Sequence, residues 1–250
     1  MTVQFRTDPE GALRAYRRDG FHVERDMLDR ASCAGLLAAA AAMPGRRAGD
    51  HQPLMHPHRW SPEFHAAFCR RDVVAVMERL VGGPVFGLQT TYYFGHPGTG
   101  GFANHQDNFF VEAAPWAFAS AWIALADADR GNGGLYAFPG AHLLPRLPVA
   151  RVSRPPDPNQ DPNAYNEECV MPPGYRPLDT VVPQGAVLFL HGNLPHGSHD
   201  NRSTRSRASL LCTFVRQGAA FRPGVRSGRV EVDLTQPFAP APAASRGAAS

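Results

Sequence analysis

The first third of the chain carries the patterning of helices. Residues 8 to 18 and 29 to 42 read as helical, the second with a cap near Ser32 and a stop at Pro44. "RRDVVAVMERLVGG", residues 70 to 83, places apolar side chains at helical spacing and ends on glycines, which suit the left-handed turn that closes a helix. Between the first two helices, "GFHVERDML" reads as a short strand and turn.

From Val85 onward the pattern changes. "VFGLQTTYYF", "FASAWIALADA", "LYAFPG", "AVLFLHG" and "RASLLCTFV" are short runs rich in β-branched and aromatic residues, separated by Gly, Pro and Asn turns. Such runs predict a β-sandwich or barrel. Helices first and strands afterwards predict a jelly roll, mostly β, backed by helices on one side. Residues 151 to 177 are too rich in proline for regular structure, and a loop of that length is expected to be a lid or binding insertion. The segment from Pro237 is of low complexity and is expected to be a disordered tail, leaving one domain over residues 1 to 236.

Composition narrows the chemistry. A hydrophobic share of 43% is enough for a substantial core, and a net charge of +3 with scattered arginines does not point to nucleic acid. All 25 basic residues are arginine, which excludes Schiff-base chemistry, pyridoxal phosphate anchoring and the P-loop, since each needs a lysine amine. Cys33, Cys69, Cys169 and Cys212 form no C-x-x-C pair and are expected to pack in the core of a reduced, cytoplasmic protein. The opening residues lack the apolar stretch of a signal peptide, and no run reaches about 18 apolar residues, so no membrane span is expected.

The candidate chemistry lies in "FANHQDNFF". On a strand, His105 and Asp107 would point to the same face. An imidazole and a carboxylate supply two of the three ligands of a mononuclear iron site, whose remaining positions can take an oxo-acid and O₂. The third would come from the histidines of "VLFLHGNLPHGSHDNRSTRSRASLLCTFV", namely His191, His196 and His199. A turn centred near Asn201 would set His196 opposite Arg207 on adjacent strands. The guanidinium there could hold the far carboxylate of a metal-chelating oxo-acid through two parallel N–H donors.

"HQDNFF", "AWIALADADRGNGGLYAFPGAH" and "GAVLFLHGNLPHGSHDNRSTRSRASL" together resemble the successive motifs of the phytanoyl-CoA dioxygenase-like family, and "AYRRDGFHVERDML" resembles its start. The main similarity runs from about Val85 to Gln217. The resemblance implies an Fe(II)/2-oxoglutarate-dependent oxygenase with a double-stranded β-helix core. It implies His105, Asp107 and His196 as iron ligands and Arg207, eleven positions beyond His196, as the anchor of 2-oxoglutarate. Gln89 and Ser198 resemble residues that contact the oxo-acid, and Trp122 occupies the place of an aromatic near the pocket wall. Halogenating relatives carry a small residue where Asp107 stands, so oxidation rather than chlorination is implied.

Other residues have plainer expectations. His191 and His199 are expected at the surface or beside the ligands, and Arg205 is a weaker competitor for Arg207. Completing a polar sheet face is an equal expectation for Gln89, as is core packing for Trp122. Asn132 and His142 are expected in turn chemistry. His51, His56, His58 and His65 are expected in a mobile loop over the pocket. A polar substrate could meet Asn108, Phe110, Arg154, Tyr165, Asn166, Glu167 and Arg216. The expected activity is hydroxylation of a small polar metabolite or natural-product intermediate, with no nucleic-acid, membrane or obligate protein partner. Rivals are desaturation, epoxidation or ring rearrangement at the same iron, a non-oxygenase metalloenzyme, and a binding protein.

Overall fold

The three expected helices form for local reasons that a computed structural model, describing residues 3–43, 51–152, 167–225 and 227–240, makes plain. Helix α1 (Pro9–Asp19) starts on Asp8, whose carboxylate accepts from Gly11 N at 2.8 Å, and stops at Gly20 in the left-handed conformation with φ of 84°. Helix α2 (Arg30–Ala41) is capped by Asp29, which accepts from Ser32 N. Ser32 is thus the donor at this cap, not the cap itself. Two short helices were not legible as such: α3 (Pro62–Phe68), capped by Ser61, and α5 (Asn108–Val111). Between them, α4 (Arg71–Val81) buries Val73, Val76, Met77 and Leu80 and closes on Gly82.

Among the described residues there are eleven short strands: β1 (Phe21–Glu24), β2 (Leu54–Met55), β3 (Val85–Tyr93), β4 (Phe118–Ala124), β5 (Leu135–Ala137), β6 (Val149–Arg151), β7 (Glu167–Cys169), β8 (Leu178–Asp179), β9 (Val187–His191), β10 (His196–Ser198) and β11 (Ser209–Arg216). A six-stranded sheet runs β1-β9-β4-β11-β3-β2, and a three-stranded sheet runs β10-β5-β8. All recorded pairings are antiparallel. This is the jelly-roll core that the strand pattern predicts.

The period-two alternation of β4 and β9 decides what lies on each face of the large sheet. Ala119, Ala121, Ile123, Val187 and Phe189 pack with Tyr16, Phe64, Phe68 and Met77 of the helices. Trp122, Ala124, Leu188 and Leu190 turn the other way and pack with Leu135 and Ala137 of the small sheet. Both faces of "VLFLH" are therefore buried, which is why it reads as an unbroken apolar run rather than an alternating one. Cys33, Cys169 and Cys212 are buried and all four cysteines are free, as their scatter predicts.

Two expected loops differ. The ends of the 151–177 insertion are ordered as a ribbon in which β6 pairs with β7, while residues 153–166 lie outside the described residues. The histidine-rich stretch forms β2, a 3₁₀ turn at Pro57–Arg59 and α3, with His56 and His58 buried. Their rings are tied down: His58 Nδ1 lies 2.6 Å from Thr90 Oγ1, and His56 Nε2 lies 2.5 Å from Ser227 O. Of the expected tail, Phe238 packs edge-on against His65; residues 241–250 lie outside the described residues.

Candidate metal centre

His105 and His196 face each other across an isolated antiparallel bridge, His105 N donating to His196 O at 2.8 Å and His196 N to His105 O at 3.0 Å. A backbone pairing thus joins two segments ninety residues apart and brings the ring centroids to 4.6 Å. Asp107 is not on a strand, contrary to the alternation argument. Its backbone is helical (φ −53°, ψ −38°) and leads into α5. The two side chains still meet because the chain turns after the bridge: Gln106 points away, donating to Asn193 O and accepting from Leu147 N, while Asp107 swings back. His105 Nε2 lies 3.5 Å and His196 Nε2 3.9 Å from Asp107 Oδ1. Ligand atoms from the three residues lie within 4.8 Å of one another, the only such group of three His, Cys, Asp or Glu among the described residues.

The far atoms of the three side chains are fixed. His105 Nδ1 donates to Ala103 O at 2.9 Å and His196 Nδ1 to Leu194 O at 3.0 Å. A carbonyl can only accept, so each neutral ring carries its proton on Nδ1 and its lone pair on Nε2, aimed at the carboxylate. Asp107 Oδ2 accepts from Ser120 Oγ at 2.7 Å. Burial works to raise the Asp107 pKa, but the charges that His196 and His105 carry when protonated, the bond that protonated His105 donates and the bond from Ser120 hold it well below the usual carboxylate range. Burial lowers His196; at His105 burial is outweighed by the hydrogen bond and charge of Asp107, and the value rises. A fixed anion with two converging lone pairs suits a divalent transition metal.

These residues line a cavity of about 1110 Å³ together with Gln89, Ser198, Trp122, Phe110 and Arg207. The cavity exceeds the roughly 300–1,000 Å³ common for small-molecule sites. Arg207 does not reach it by the expected hairpin. β10 pairs with β5 in the small sheet, whereas β11 pairs with β3 and β4 in the large one, and Asn201 bridges to Asn132. The intervening chain crosses between sheets, so His196 and Arg207 approach the cavity from different walls. Arg207 is 6% exposed, its Nε has no hydrogen-bond partner, and its guanidinium carbon lies 5.7 Å from the Trp122 ring. Burial pushes its pKa down to about 10, which still leaves it cationic at neutral pH. Arg205 pairs instead with Asp129 at 2.6 Å near the surface.

The other expected residues divide. Gln89 Nε2 donates to Thr91 Oγ1, leaving its buried Oε1 without a partner, and Ser198 Oγ accepts from Phe102 N. Asn108 does not line the cavity; its amide bonds Ala113 N, Ala113 O and Asn193 Oδ1, bracing α5. Arg216 is also elsewhere, at the end of β11, where it donates to Val81 O at 3.3 Å. Arg154, Tyr165 and Asn166 lie outside the described residues, and Glu167 opens β7. His199 pairs with Asp179 at 2.7 Å, and Asn132 braces a turn by accepting from Asp129 N. His191 is not at the surface: it and His142, which sits in the 3₁₀ turn Ala141–Leu143 as a turn residue, are buried on the helix side of the large sheet.

Sequence reasoning missed Ser120, Phe118, Leu211 and Thr213, although the alternation of "FASAWIA" and "SLLCTFV" places them on the inner face. It also missed Arg222, Pro223, Gly224, Val225, Ser227 and Arg229, which border the cavity after the last strand. Arg222 and Arg229 there donate to the carbonyls of Phe109 and Phe110, satisfying the open end of α5. A Pro- and Gly-rich run after a strand carries no pattern that would reveal this.

Comparison with known proteins agrees with this architecture. The profile of the family described as Phytanoyl-CoA dioxygenase (PhyH) matches residues 16–209. Phytanoyl-CoA dioxygenase of Arabidopsis thaliana is 35% identical over 124 residues, which cover 48% of this chain and 41% of that protein. Phytanoyl-CoA dioxygenase domain-containing protein 1 of Bos taurus is 34% identical over 159 residues, covering 60% and 52% respectively. The matched region thus spans about half the length of these curated relatives. Among solved structures, the non-heme alpha ketoglutarate dependent carbocyclase SnoK from nogalamycin biosynthesis aligns with a TM-score of 0.73 at 22% identity, covering 91% of this chain and 92% of that one. The epimerase SnoN, in complex with Fe3+, alpha ketoglutarate and nogalamycin RO, gives 0.72 at 21% identity, covering 93% and 95%. These two share the fold. With the family profile covering most of its length, the chain belongs to the phytanoyl-CoA dioxygenase (PhyH) family.

Proposed function

We propose that this protein is an Fe(II)/2-oxoglutarate-dependent dioxygenase that hydroxylates an unactivated C–H bond of a small metabolite or natural-product intermediate. One observation carries the proposal: three candidate metal-binding atoms on fixed side chains share a cavity with a buried guanidinium that has no anion beside it among the described residues. Leaving that cation buried and unpaired is costly unless a ligand brings the counter-charge. His105, Asp107 and His196 would hold iron, which with 2-oxoglutarate and O₂ would supply the oxidising power, releasing succinate and CO₂. Arg207 would bind the far carboxylate of the oxo-acid by a charge-assisted bond, and the amide N–H of Gln89 and the hydroxyl of Ser198 would help fix its orientation as donors. Phe102, Phe110, Val111 and Phe118 would limit water around the substrate. That apolar lining favours a substrate with a sizeable apolar body over a wholly polar metabolite.

Protein reconstituted with Fe(II) without oxygen, then given O₂, 2-oxoglutarate and a substrate panel, is expected to form succinate and a product heavier by one oxygen. No succinate with any substrate, and none in its absence, would contradict the proposal. Desaturation, epoxidation or ring rearrangement at the same centre is the second reading, favoured by the carbocyclase and epimerase among the structural neighbours. A product lighter by two hydrogens, or of unchanged mass, would identify desaturation or rearrangement, and an oxygen added across a former C=C bond would identify epoxidation.

A further inference from the structure

Each of the three converging side chains is locked by one hydrogen bond on its far atom, and one of those locks is unlike the others. The two histidines use backbone carbonyls two residues away, Ala103 O and Leu194 O. Asp107 uses the hydroxyl of Ser120, thirteen residues on, reaching from β4 to Oδ2 at 2.7 Å. Ser120 is completely buried on the inner face of β4, in register with Leu190 of β9 and Thr213 of β11. The contacts to the two imidazoles fall on the other oxygen, Oδ1.

The division between the oxygens has a chemical consequence. The last torsion of an aspartate is broad and roughly two-fold, so nothing intrinsic prevents the carboxylate from turning. A freely turning carboxylate could present both oxygens to a metal. We propose that Ser120 is a positioning residue: by holding Oδ2 toward β4 it makes Asp107 a one-oxygen ligand and keeps open a coordination position that the second oxygen would take. This rests on the dioxygenase proposal, which needs open positions for co-substrate and O₂. Ser120 is also the only one of the three locks supplied by a side chain, and so the only one a substitution can remove.

The test uses metal-free protein titrated with Co(II) in the absence of oxygen, reading affinity and the visible absorption that reports coordination number. Ser120→Ala is expected to weaken binding about 10- to 100-fold, the range for partners behind a metal ligand, and to shift the absorption toward higher coordination. Ser120→Thr, which keeps the hydroxyl, is expected to restore both. Wild-type affinity and spectrum in Ser120→Ala would overturn the inference, as would a lowered melting temperature of metal-free Ser120→Ala with metal affinity retained. If Ser120→Ala does not fold, Ser120→Cys, similar in size and only a weak donor, is expected to show the same changes at smaller magnitude. Wild-type protein that takes up no Co(II) would overturn the metal centre itself, whereas uptake insensitive to Ser120 overturns only the positioning role.

Discussion

Two histidine pairs lie on opposite sides of the large sheet, one of them carried by the small sheet that faces it, and are built for opposite ends. On the inner face, His105 and His196 converge on Asp107 at the wall of a cavity. On the helix side, His191 and His142 sit 5.0 Å apart, with Trp116 4.4 Å from His191 and Tyr16 close by. Burial does not separate them: His196 is 6% exposed and His191 3%. The direction of the lone pairs does. His191 Nδ1 accepts from Asn193 N, so its proton is on Nε2; His142 Nε2 faces Arg17 O, which puts its lone pair on Nδ1, against Gly20. Neither ring has a carboxylate at ion-pairing distance among the described residues. Burial, helped by the charge of His142, pushes His191 down to about 3. One pair is arranged around an anion and the other is kept neutral. A buried histidine cluster becomes a metal site only when its lone pairs converge on negative charge that a ligand can reach.

The largest effect should come from exchanging the two pairs as targets. His105→Ala or His196→Ala is expected to lower Co(II) affinity by more than about 100-fold, beyond the loss usual for partners behind the ligands. His191→Phe is expected to leave that affinity unchanged. Equal losses at His191 and His196 in the same titration would erase the distinction.

Next in size is the cation on the inner side. Arg207→Met is expected to weaken 2-oxoglutarate binding to the Mn(II)-loaded protein by about 10- to 100-fold, since hydrogen bonds to charged groups contribute about 1.5–3 kcal/mol. Metal affinity without the oxo-acid should not change, and calorimetry of both ligands checks the two halves.

The smallest effect belongs to the neutral pair. A histidine whose folded pKa is depressed takes up its proton more readily in the unfolded chain, so it costs stability as pH falls below about 6.5 toward the folded value. For His191 the slope reaches at most about 1.4 kcal/mol per pH unit. His191→Phe should therefore flatten the loss of stability between pH 6.5 and 5, although it leaves Asn193 N without its acceptor at every pH. Urea unfolding at both pH values checks this; an unchanged slope would mean that the ring is not held neutral.

Most of the core was legible because its signals are local. Helix starts at residues 8 and 29 and a stop at Gly82 were legible, although the cap of α2 is Asp29 rather than Ser32, and runs such as "VLFLH" and "FASAWIA" mark strands whose two faces are both covered. His105, Asp107, His196 and Arg207 were legible through their motif, but the geometry inferred for them was not. A helical turn at Asp107 and a crossing between sheets after His196 replace the strand and hairpin that spacing suggests. Spacing records how far apart residues are in the chain, whereas the bridge between His105 and His196 depends on sheet partners chosen by the whole core. Arg216 was misplaced for the same reason: its register puts it against Val81, at the far end of β11 from Arg207.

X-ray absorption of the Fe(II)-loaded protein tests the metal centre most directly. Wild-type protein is predicted to show two imidazole nitrogens and one carboxylate oxygen from the chain around each iron, with one imidazole lost in His196→Ala. A first shell containing sulfur, or one with the same imidazole count in His196→Ala, would contradict the assignment.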